Sequence, residues 1–315
     1  MGKIVAAIAS NRPELCKKAV EAWKARKEFD SIWVMWDQTS YPGDQECNQI
    51  YYHDKKEPSC IPTGSGCCRS RLVLEAWKDP DVEWLVHLDD DVMPINGRKW
   101  KEMTKQLHPD SSWFKIAREG GRFTRGHPYG VRTYSRLPHI VHGCWNGMPD
   151  LDAATQLQYE YKHAINLFDH SGMPVVIPRG QYFAMSAMAV AIHRDLFPAS
   201  YFMWMGKDLP LNKFGDIWCG VILKRICDHF GWIATNGSPV VHHERASNVW
   251  SNYRQEGKCI EENESFWRWV DAVDISKCST VIQCYEQIAT QMEMPKRPEY
   301  KELRKKMMQW GGLFK

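Results

Sequence analysis

Short apolar runs alternate with amphipathic helical segments in the N-terminal part of the chain. The runs are Lys3–Ser10, Ser31–Trp36 and Trp84–Leu88, and helices are predicted from Pro13 to about Lys27 and over Cys67–Lys78. Because a strand–helix–strand order places parallel strands side by side with helices across their faces, this alternation predicts a Rossmann-like parallel sheet. Such a sheet binds its ligands beyond the carboxyl ends of its strands.

The third apolar run ends in consecutive carboxylates, Asp89, Asp90 and Asp91. Carboxylate oxygens suit hard cations such as Mg²⁺ or Mn²⁺, which can bridge to the phosphates of a nucleotide. An acidic triplet at a strand end is therefore typical of a nucleotide-sugar transferase of the GT-A type, in which the cation neutralises a departing diphosphate. The alternative interpretation is a solvated acidic turn before Pro94.

Composition limits the class of protein. The 315 residues are 43% hydrophobic and carry a net charge of +3, which favours a folded α/β protein and does not by itself indicate a nucleic-acid partner. No apolar run reaches the roughly 18 residues of a membrane span. The 11 cysteines lack zinc-site spacing and fit reduced thiols. The sequence therefore predicts a cytoplasmic protein with no membrane partner.

The rest of the chain reads as one domain with a tail. Residues 1–275 are expected to form a GT-A-like nucleotide-sugar-binding catalytic domain, and residues 276–315 a helical C-terminal extension. The other predicted elements are an irregular segment Gln38–Ser65, a helix Asp216–Phe230 stopped by Gly231, a strand Pro239–His242 and a helical tail Lys277–Met308. The predicted fold is thus a mixed α/β sheet flanked by helices.

A series of multi-residue matches follows in order from about Ser59 to Gln287. The matching segments are Ser59–Ile61, Cys68–Arg69, Asp89–Asp91, Phe123–Tyr129, His142–Trp145, Pro149–Leu157, Pro178–Gly180, Asp216–Gly220, Ile226–His229 and His243–Asn248. In these segments the chain resembles the reversibly glycosylated polypeptides, the UDP-arabinopyranose mutases of plants. The resemblance implies a GT-A-like fold and the cleavage of a UDP-sugar. It also implies either self-glycosylation on an arginine or interconversion of pyranose and furanose rings.

The metal ligands are predicted to be Asp89, Asp91 and His243, holding Mn²⁺ or Mg²⁺. Side chains alternate in direction along a strand, so three neighbouring aspartates are not expected to ligate one ion. His243 follows a later strand, where GT-A enzymes often supply a third ligand, and His242 replaces it if the register shifts by one residue. Asp90, placed in the catalytic set, is expected to face a ribose, a backbone amide or a sugar hydroxyl.

Two further residues complete the predicted catalytic set. Asp216 opens a helix, so its carboxylate could cap backbone amides, act as a base at the acceptor, or do both. Arg125 matches the arginine that the resembling family glycosylates. Because a guanidinium stays protonated, gripping a phosphate or stabilising charge is an equal alternative for Arg125.

The UDP-sugar donor is expected to contact Asp37, Arg69 and Asp89. Asp37 ends the second strand and could accept a hydrogen bond from uracil, or it could be a turn residue. Arg69 lies on the helix before the acidic triplet, where it could hold the diphosphate or form a surface salt bridge.

Three functions remain open at this point. The first is transfer of the sugar to an acceptor hydroxyl, for instance of a hydroxymethylated pyrimidine in DNA. The second is the mutase or self-glycosylating activity of the resembling family, and the third is non-catalytic binding of a sugar nucleotide. Gly215 stands where the family usually has an acidic residue, and this loss of negative charge favours a polyanionic acceptor. A basic set could track phosphates: Arg118, Arg122, Arg125, Arg132, Arg136 and Lys296–Lys306. A second copy of the chain is a further candidate partner.

Overall fold

The fold is known from a computed structural model of the chain. It describes residues 2–36, 47–52, 58–61, 68–109, 135–158, 174–203, 213–244, 247–257 and 260–315. Asp37 and Arg125, both predicted site residues, lie outside these described residues.

Strands and helices alternate along the first half of the chain, and helices dominate its end. The strands are β1 Lys3–Ser10, β2 Ser31–Trp36, β3 Gln49–Tyr52, β4 Val82–Asp89, β5 Val92–Pro94, β6 His108–Pro109, β7 Ser135–Arg136, β8 Pro138–Gly147, β9 Val175–Val176, β10 Ala189–His193 and β11 Ile233–His243. The helices are α1 Pro13–Arg26, α2 Cys68–Lys78, α3 Trp100–Met103, α4 Ala153–Gln158, α5 Gly215–Phe230, α6 Val249–Glu256, α7 Ile260–Asp271, α8 Val281–Gln291 and α9 Pro298–Gly312. A 3-10 helix, Arg194–Ala199, follows β10.

One mixed sheet organises the described residues. Its strand order is β3-β2-β1-β4-β10-β8-β11-β5, and β9 pairs with β11. β1, β2 and β4 are parallel, as the sequence predicts, and β3 joins them in the same direction. β10 runs antiparallel to both of its neighbours, β4 and β8. β8 and β11 are parallel to each other. The predicted α/β fold class, a mixed sheet flanked by helices with a helical C-terminal region, is confirmed.

The sheet is covered on both faces, which explains its continuous apolar strands. Along β1, Val5 and Ala7 belong to one buried cluster, while Ala6 and Ile8 belong to another. Because successive side chains of a strand point to opposite faces, each cluster lies on its own side of the sheet. A strand that is buried on both faces reads as an unbroken apolar run.

Two strands differ from the sequence prediction. β3 lies inside the segment Gln38–Ser65, which was expected to be irregular, and it pairs in parallel with β2. β11 begins at Ile233, well before the predicted start at Pro239. Its register on β8 shifts between Asn236 and Val240. The polar residues at this irregularity in the strand pairing interrupt the apolar pattern by which a strand is predicted. In both cases pairing with a neighbouring strand outweighs local propensity.

The C-terminal helices pack on the sheet domain. Trp310 of α9 is fully buried, donates a hydrogen bond from Nε1 to the Pro198 carbonyl at 3.0 Å, and stacks on Tyr201 with ring centroids 5.3 Å apart. Tyr285 and Ile288 of α8 lie in the same buried cluster as β1 residues. Among the helices of the described residues, none combines the length and apolar character needed to cross a bilayer.

Candidate active site

The carboxyl ends of β1, β4, β8 and β11 meet at one edge of the sheet, because these four strands run in the same direction. This edge bounds a cavity of about 350 Å³. Its lining residues are Arg12, Arg69, Asp89, Asp91, Trp145, Asp150, Leu151, Asp152, Gln156, Ala184, Met185, Ser186, Met188, Lys213, Phe214, Asp216, Ile217, His243, Ser247, Asn252 and Glu256. Of the predicted site residues that the structure describes, all except Asp90 line this cavity.

Asp91 and His243 face each other across the strand ends. His243 Nε2 is 3.9 Å from Asp91 Oδ1, and both side chains are buried. His243 Nδ1 lies 2.7 Å from the Met148 carbonyl oxygen, which can only accept a hydrogen bond. Nδ1 therefore carries a proton, and Nε2 is the ring nitrogen near Asp91 that remains for a metal. This tautomer is the one expected of a metal-ligating histidine. The neighbouring His242 does not line the cavity.

Asp90 points away from the cavity and is held by β1 and the start of α1. Its carboxylate accepts hydrogen bonds from Ser10 Oγ and from Nε and Nη2 of Arg12. Burial raises the pKa of Asp90, and the bonds from Arg12 and Ser10 oppose that rise. Arg12 Nη2 also lies 3.3 Å from Asp91 Oδ2. Asp90 thus orients Arg12, which in turn borders Asp91.

Asp89 is paired with Arg69. Nη2 of Arg69 donates a hydrogen bond to Asp89 Oδ1, and the Arg69 side chain is only 10% exposed. Arg69 Nε is buried with no hydrogen-bond partner in the described part of the chain. The structure therefore pairs Asp91 with His243 and Asp89 with Arg69, and the three predicted ligands do not converge on a single point.

A second wall of the cavity, formed by α5 and the turn Ser186–Ala187, carries two more carboxylates. Asp216 lies in the first turn of α5, and its Oδ2 accepts a hydrogen bond from the Ala187 amide at 3.1 Å. Asp150 follows β8 and accepts a hydrogen bond from Ser186 Oγ at 2.6 Å. One short turn, Ser186–Ala187, thus holds both carboxylates. Asp216 does not serve only as a cap, since its second oxygen bonds the amide of its own neighbour, Ile217.

The turn that holds these carboxylates is itself fixed by a buried histidine. His142 Nε2 accepts a hydrogen bond from the Ser186 amide at 3.1 Å, so its Nδ1 carries the proton and donates to Asn236 Oδ1 at 2.9 Å. Burial lowers the pKa of His142 to about 4, so the ring is neutral at physiological pH. A neutral ring can accept from Ser186, whereas a protonated ring cannot.

Burial also shifts the acidic groups of this wall. It raises the pKa of Asp216 to about 6, against the lowering effects of the Ala187 amide and the Arg69 charge. It raises the pKa of Asp150 in the same way, against the Ser186 hydrogen bond and the His243 ring. A carboxyl group with a pKa near neutrality can both accept and release a proton at working pH.

Arg12 and Asp150 are candidate functional residues to which the sequence assigned no role. Arg12 lies in the polar turn after β1, and its role depends on contacts with residues almost eighty positions away. Asp150 lies in the segment Pro149–Leu157, which carried the family resemblance without an assigned role. The available signal for Asp150 was that resemblance; for Arg12 it was position at the end of a parallel strand.

Comparisons with a family model and with curated proteins indicate the same family. A family model described as "Reversibly glycosylated polypeptide" matches residues 111–315. Probable UDP-arabinopyranose mutase 1 of Pisum sativum is 35% identical over 75% of this chain and 66% of its own length. Probable UDP-arabinopyranose mutase 1 of Solanum tuberosum is 34% identical over 80% of this chain and 72% of its own length. The chain thus spans about two thirds of the length of these relatives. A solved glycosyltransferase involved in glycosylating the major capsid of PBCV-1 aligns with a TM-score of 0.25, 10% identity and coverage of 82% of this chain and 99% of its own.

Proposed function

Because the chain belongs to the reversibly glycosylated polypeptide family, we propose that it cleaves a UDP-sugar with the help of a divalent cation and interconverts the pyranose and furanose forms of the sugar. The observation that carries this proposal is that two walls of one cavity carry different charged groups, the first at the strand ends and the second at α5 and the turn Ser186–Ala187. One wall offers Asp91, His243 and two arginines to a cation and a diphosphate, and the other offers Asp216 and Asp150 to a sugar.

The donor set of the first wall fits a divalent cation. Asp91 supplies carboxylate oxygens, and His243 supplies a lone pair whose direction is fixed through Met148. Asp89 would join them when a diphosphate takes its place on Arg69. A bound Mn²⁺ or Mg²⁺ would supply positive charge to the departing diphosphate.

The two arginines act on the diphosphate directly. Arg69 lines the cavity with its guanidinium bonded to Asp89, and a phosphate oxygen would compete with Asp89 for this group. Arg12 is oriented by its bonds to Asp90, so its charge is held at the cavity before a ligand arrives. Preorganised positive charge of this kind stabilises charge that develops on the leaving group.

The second wall suits the proton transfer that a ring change requires. A pentose pyranose closes through the oxygen on carbon 5, and the furanose closes through the oxygen on carbon 4. Conversion to the furanose breaks the bond from carbon 1 to oxygen 5 and forms one from carbon 1 to oxygen 4, and the diphosphate that left carbon 1 rejoins it. The hydroxyl group on carbon 4 therefore loses a proton, and oxygen 5 gains one. Asp216, whose pKa burial raises to about 6, can accept the first proton and release the second.

Transfer to hydroxymethylated DNA, which the sequence alone favoured slightly, receives less support. The relatives reported above are named as mutases. Of the arginines that could track phosphates, Arg118, Arg122, Arg125 and Arg132 lie outside the described residues. Arg136 donates a hydrogen bond to the Gly231 carbonyl. Any role for Arg125 rests on the family motif, because this residue lies outside the described part of the chain.

The first prediction tests whether Asp91 binds a cation that strengthens the binding of UDP. In Asp91→Asn, UDP affinity measured by calorimetry in the presence of Mn²⁺ should fall at least about tenfold, because a full charge is lost beside His243. Affinity without metal should change much less. Asp81→Asn is the matched control, since Asp81 lies just before β4 at the opposite edge of the sheet and its side chain is 68% exposed. Equal metal dependence in Asp91→Asn and the unmodified protein would contradict the assignment.

The reaction itself is tested with a panel of UDP-sugars, with and without hydroxymethylated DNA. UDP-arabinopyranose should convert to the furanose form without any added acceptor, and chromatography should separate the two ring forms. Arg125→Lys should lower the turnover rate, because the lysine keeps the charge but loses the planar guanidinium. Labelled sugar on DNA, with no ring interconversion, would contradict this proposal and support transfer of the sugar to DNA.

A further inference from the structure

A second cluster of side chains that can ligate a metal lies at the opposite ends of the strands from the active-site cavity. His139 is the second residue of β8, His193 ends β10, and Asp195 follows in the 3-10 helix. One ligand atom from each of these residues lies within 4.8 Å of the others, and no other trio of His, Cys, Asp or Glu among the described residues meets that condition. β4 separates this cluster from Asp89 by the length from Glu83 to Asp89, about 20 Å at 3.3 Å per residue.

The distances within the cluster match those between ligands of one ion. Asp195 Oδ2 is 3.3 Å from His193 Nδ1 and 3.5 Å from His139 Nε2. Two atoms that each lie 2.0–2.1 Å from a tetrahedral ion are about 3.3 Å apart. The carboxylate oxygen is thus already at ligand spacing from both rings.

The tautomer of His193 is the one that a metal requires. The Asp195 amide donates to His193 Nδ1 at 3.3 Å, so the ring proton is on Nε2 and Nδ1 carries the lone pair, which a bound ion would take over from this amide. Nε2 in turn lies 3.8 Å from Glu83 Oε1. A carboxylate behind the far nitrogen of a ligating histidine is the common outer-shell arrangement at metal sites.

Packing holds both rings in place. His139 stacks on Trp232 with ring centroids 4.1 Å apart and planes 2° from parallel, and Trp84 packs edge-on against His193 at 5.0 Å. The Asp195 side chain is 51% exposed, which leaves room for water as a further ligand.

We propose that His139, His193 and Asp195 form a zinc-binding site that joins β8, β10 and the 3-10 helix, separate from the proposed catalytic cation. Two imidazoles and one carboxylate suit Zn²⁺, whereas Mn²⁺ and Mg²⁺ favour oxygen-rich sets such as the acidic strand end. The site does not depend on the proposed function, because none of its residues lines the active-site cavity.

The test uses the purified full chain, stripped of metal and titrated with Co²⁺ as a spectroscopic substitute for Zn²⁺. One equivalent should produce visible absorption typical of tetrahedral cobalt, without the thiolate-to-metal band that cysteine ligands give. His193→Gln and Asp195→Asn should each weaken Co²⁺ binding more than about tenfold, since loss of a ligand exceeds the usual effect of an outer-shell change. Zn²⁺ should displace the cobalt and raise the unfolding temperature of the unmodified protein but not that of these two variants.

Two controls separate this site from other metal binding. His229→Gln alters a histidine that bonds the Cys278 carbonyl, outside both sites, and should keep the spectrum. His243→Gln removes the proposed catalytic ligand and should also keep it, which distinguishes failure of this inference from failure of the proposed function. Asp195 is half exposed, so Asp195→Asn is expected to fold even if His193→Gln does not. The same Co²⁺ stoichiometry and spectrum in Asp195→Asn as in the unmodified protein would overturn the proposal.

Discussion

At the scale of single residues, the site depends on groups whose protonation is set by their surroundings. Asp216 and His142 are the two clearest cases, and both face the turn Ser186–Ala187. Burial disfavours the charged form of each, so it raises the pKa of the carboxyl group and lowers that of the imidazole. The result is a neutral histidine that positions the turn and an aspartate that titrates near neutrality.

The second prediction concerns the pH dependence of activity. If Asp216 accepts a proton in its ionised form, the rate of ring interconversion should rise with pH through about 6. Asp216→Asn should lower the rate at least about a hundredfold, the usual range for a general base, and should remove this ionisation from any residual activity. Initial rates between acid and neutral pH measure both effects. An unchanged profile in Asp216→Asn would exclude the assigned role.

The same pKa shift has a consequence for stability, with a defined sign. Folding raises the pKa of Asp216 from 3.8 to about 6, so the native state binds more protons than the unfolded state between these values. The contribution of Asp216 to the free energy of unfolding therefore decreases as pH rises from about 4 to about 6. Denaturant titrations across this range should show a smaller decrease for Asp216→Asn than for the unmodified protein.

At the scale of elements, α5 brings Asp216 to the cavity because the helix packs very closely on the chain before Ser186. A Cβ atom built on Gly220 would lie 2.2 Å from Met185 Cβ and 2.9 Å from the Met185 amide. A glycine is therefore required where the helix crosses this segment. The far end of α5 is fixed by the buried Lys224, which bonds Asp228 at 2.6 Å and the Pro178 carbonyl at 3.0 Å.

The third prediction tests this close approach. Gly220→Ala should reduce the free energy of unfolding by about 1–3 kcal/mol, because the new methyl group must displace Met185. It should also lower activity, since Met185 precedes the turn that holds Asp150 and Asp216. Gly312→Ala in α9 is the matched control, because nothing lies within 4 Å of its added Cβ. Equal stability of Gly220→Ala and Gly312→Ala would show that the helix can shift without cost.

At the scale of the whole molecule, the C-terminal helices complete the core of the sheet domain. Trp310 fills a buried position over Tyr201, and Ser59 Oγ donates a hydrogen bond to Gln309 at 2.8 Å. The division into residues 1–275 and 276–315 remains a prediction about sequence organisation. The shared packing means that the two parts depend on each other for stability.

The fourth prediction measures that dependence. Trp310→Ala should reduce the free energy of unfolding by about 3–5 kcal/mol, because it leaves a large cavity and removes the hydrogen-bond donor to Pro198. Trp250→Ala removes a tryptophan that is 52% exposed and should change stability far less. Guanidinium titrations of the three proteins provide the comparison. A similar small loss in both variants would indicate that α9 folds independently of the sheet domain.

The sequence by itself determined the parallel strands of the N-terminal half and the carboxylates at the end of β4. Both follow from local patterns: apolar runs that a doubly covered sheet requires, and polar residues where such a run stops. The bounds of β1 and β2 coincide with the predicted runs for this reason. The order of motifs was likewise enough to indicate the family.

Only the tertiary structure decided which of these residues face the cavity. Asp90 turns to Arg12 instead of the cavity, Asp89 pairs with Arg69, and Asp150 joins Asp216 on one turn. Each of these contacts joins residues that are far apart in the sequence, and side-chain direction at a strand end depends on what the neighbouring strands supply. The cluster of His139, His193 and Asp195 has the same origin, because an antiparallel strand returns its end to the start of β8. The spacing of these three residues along the chain does not indicate that they meet.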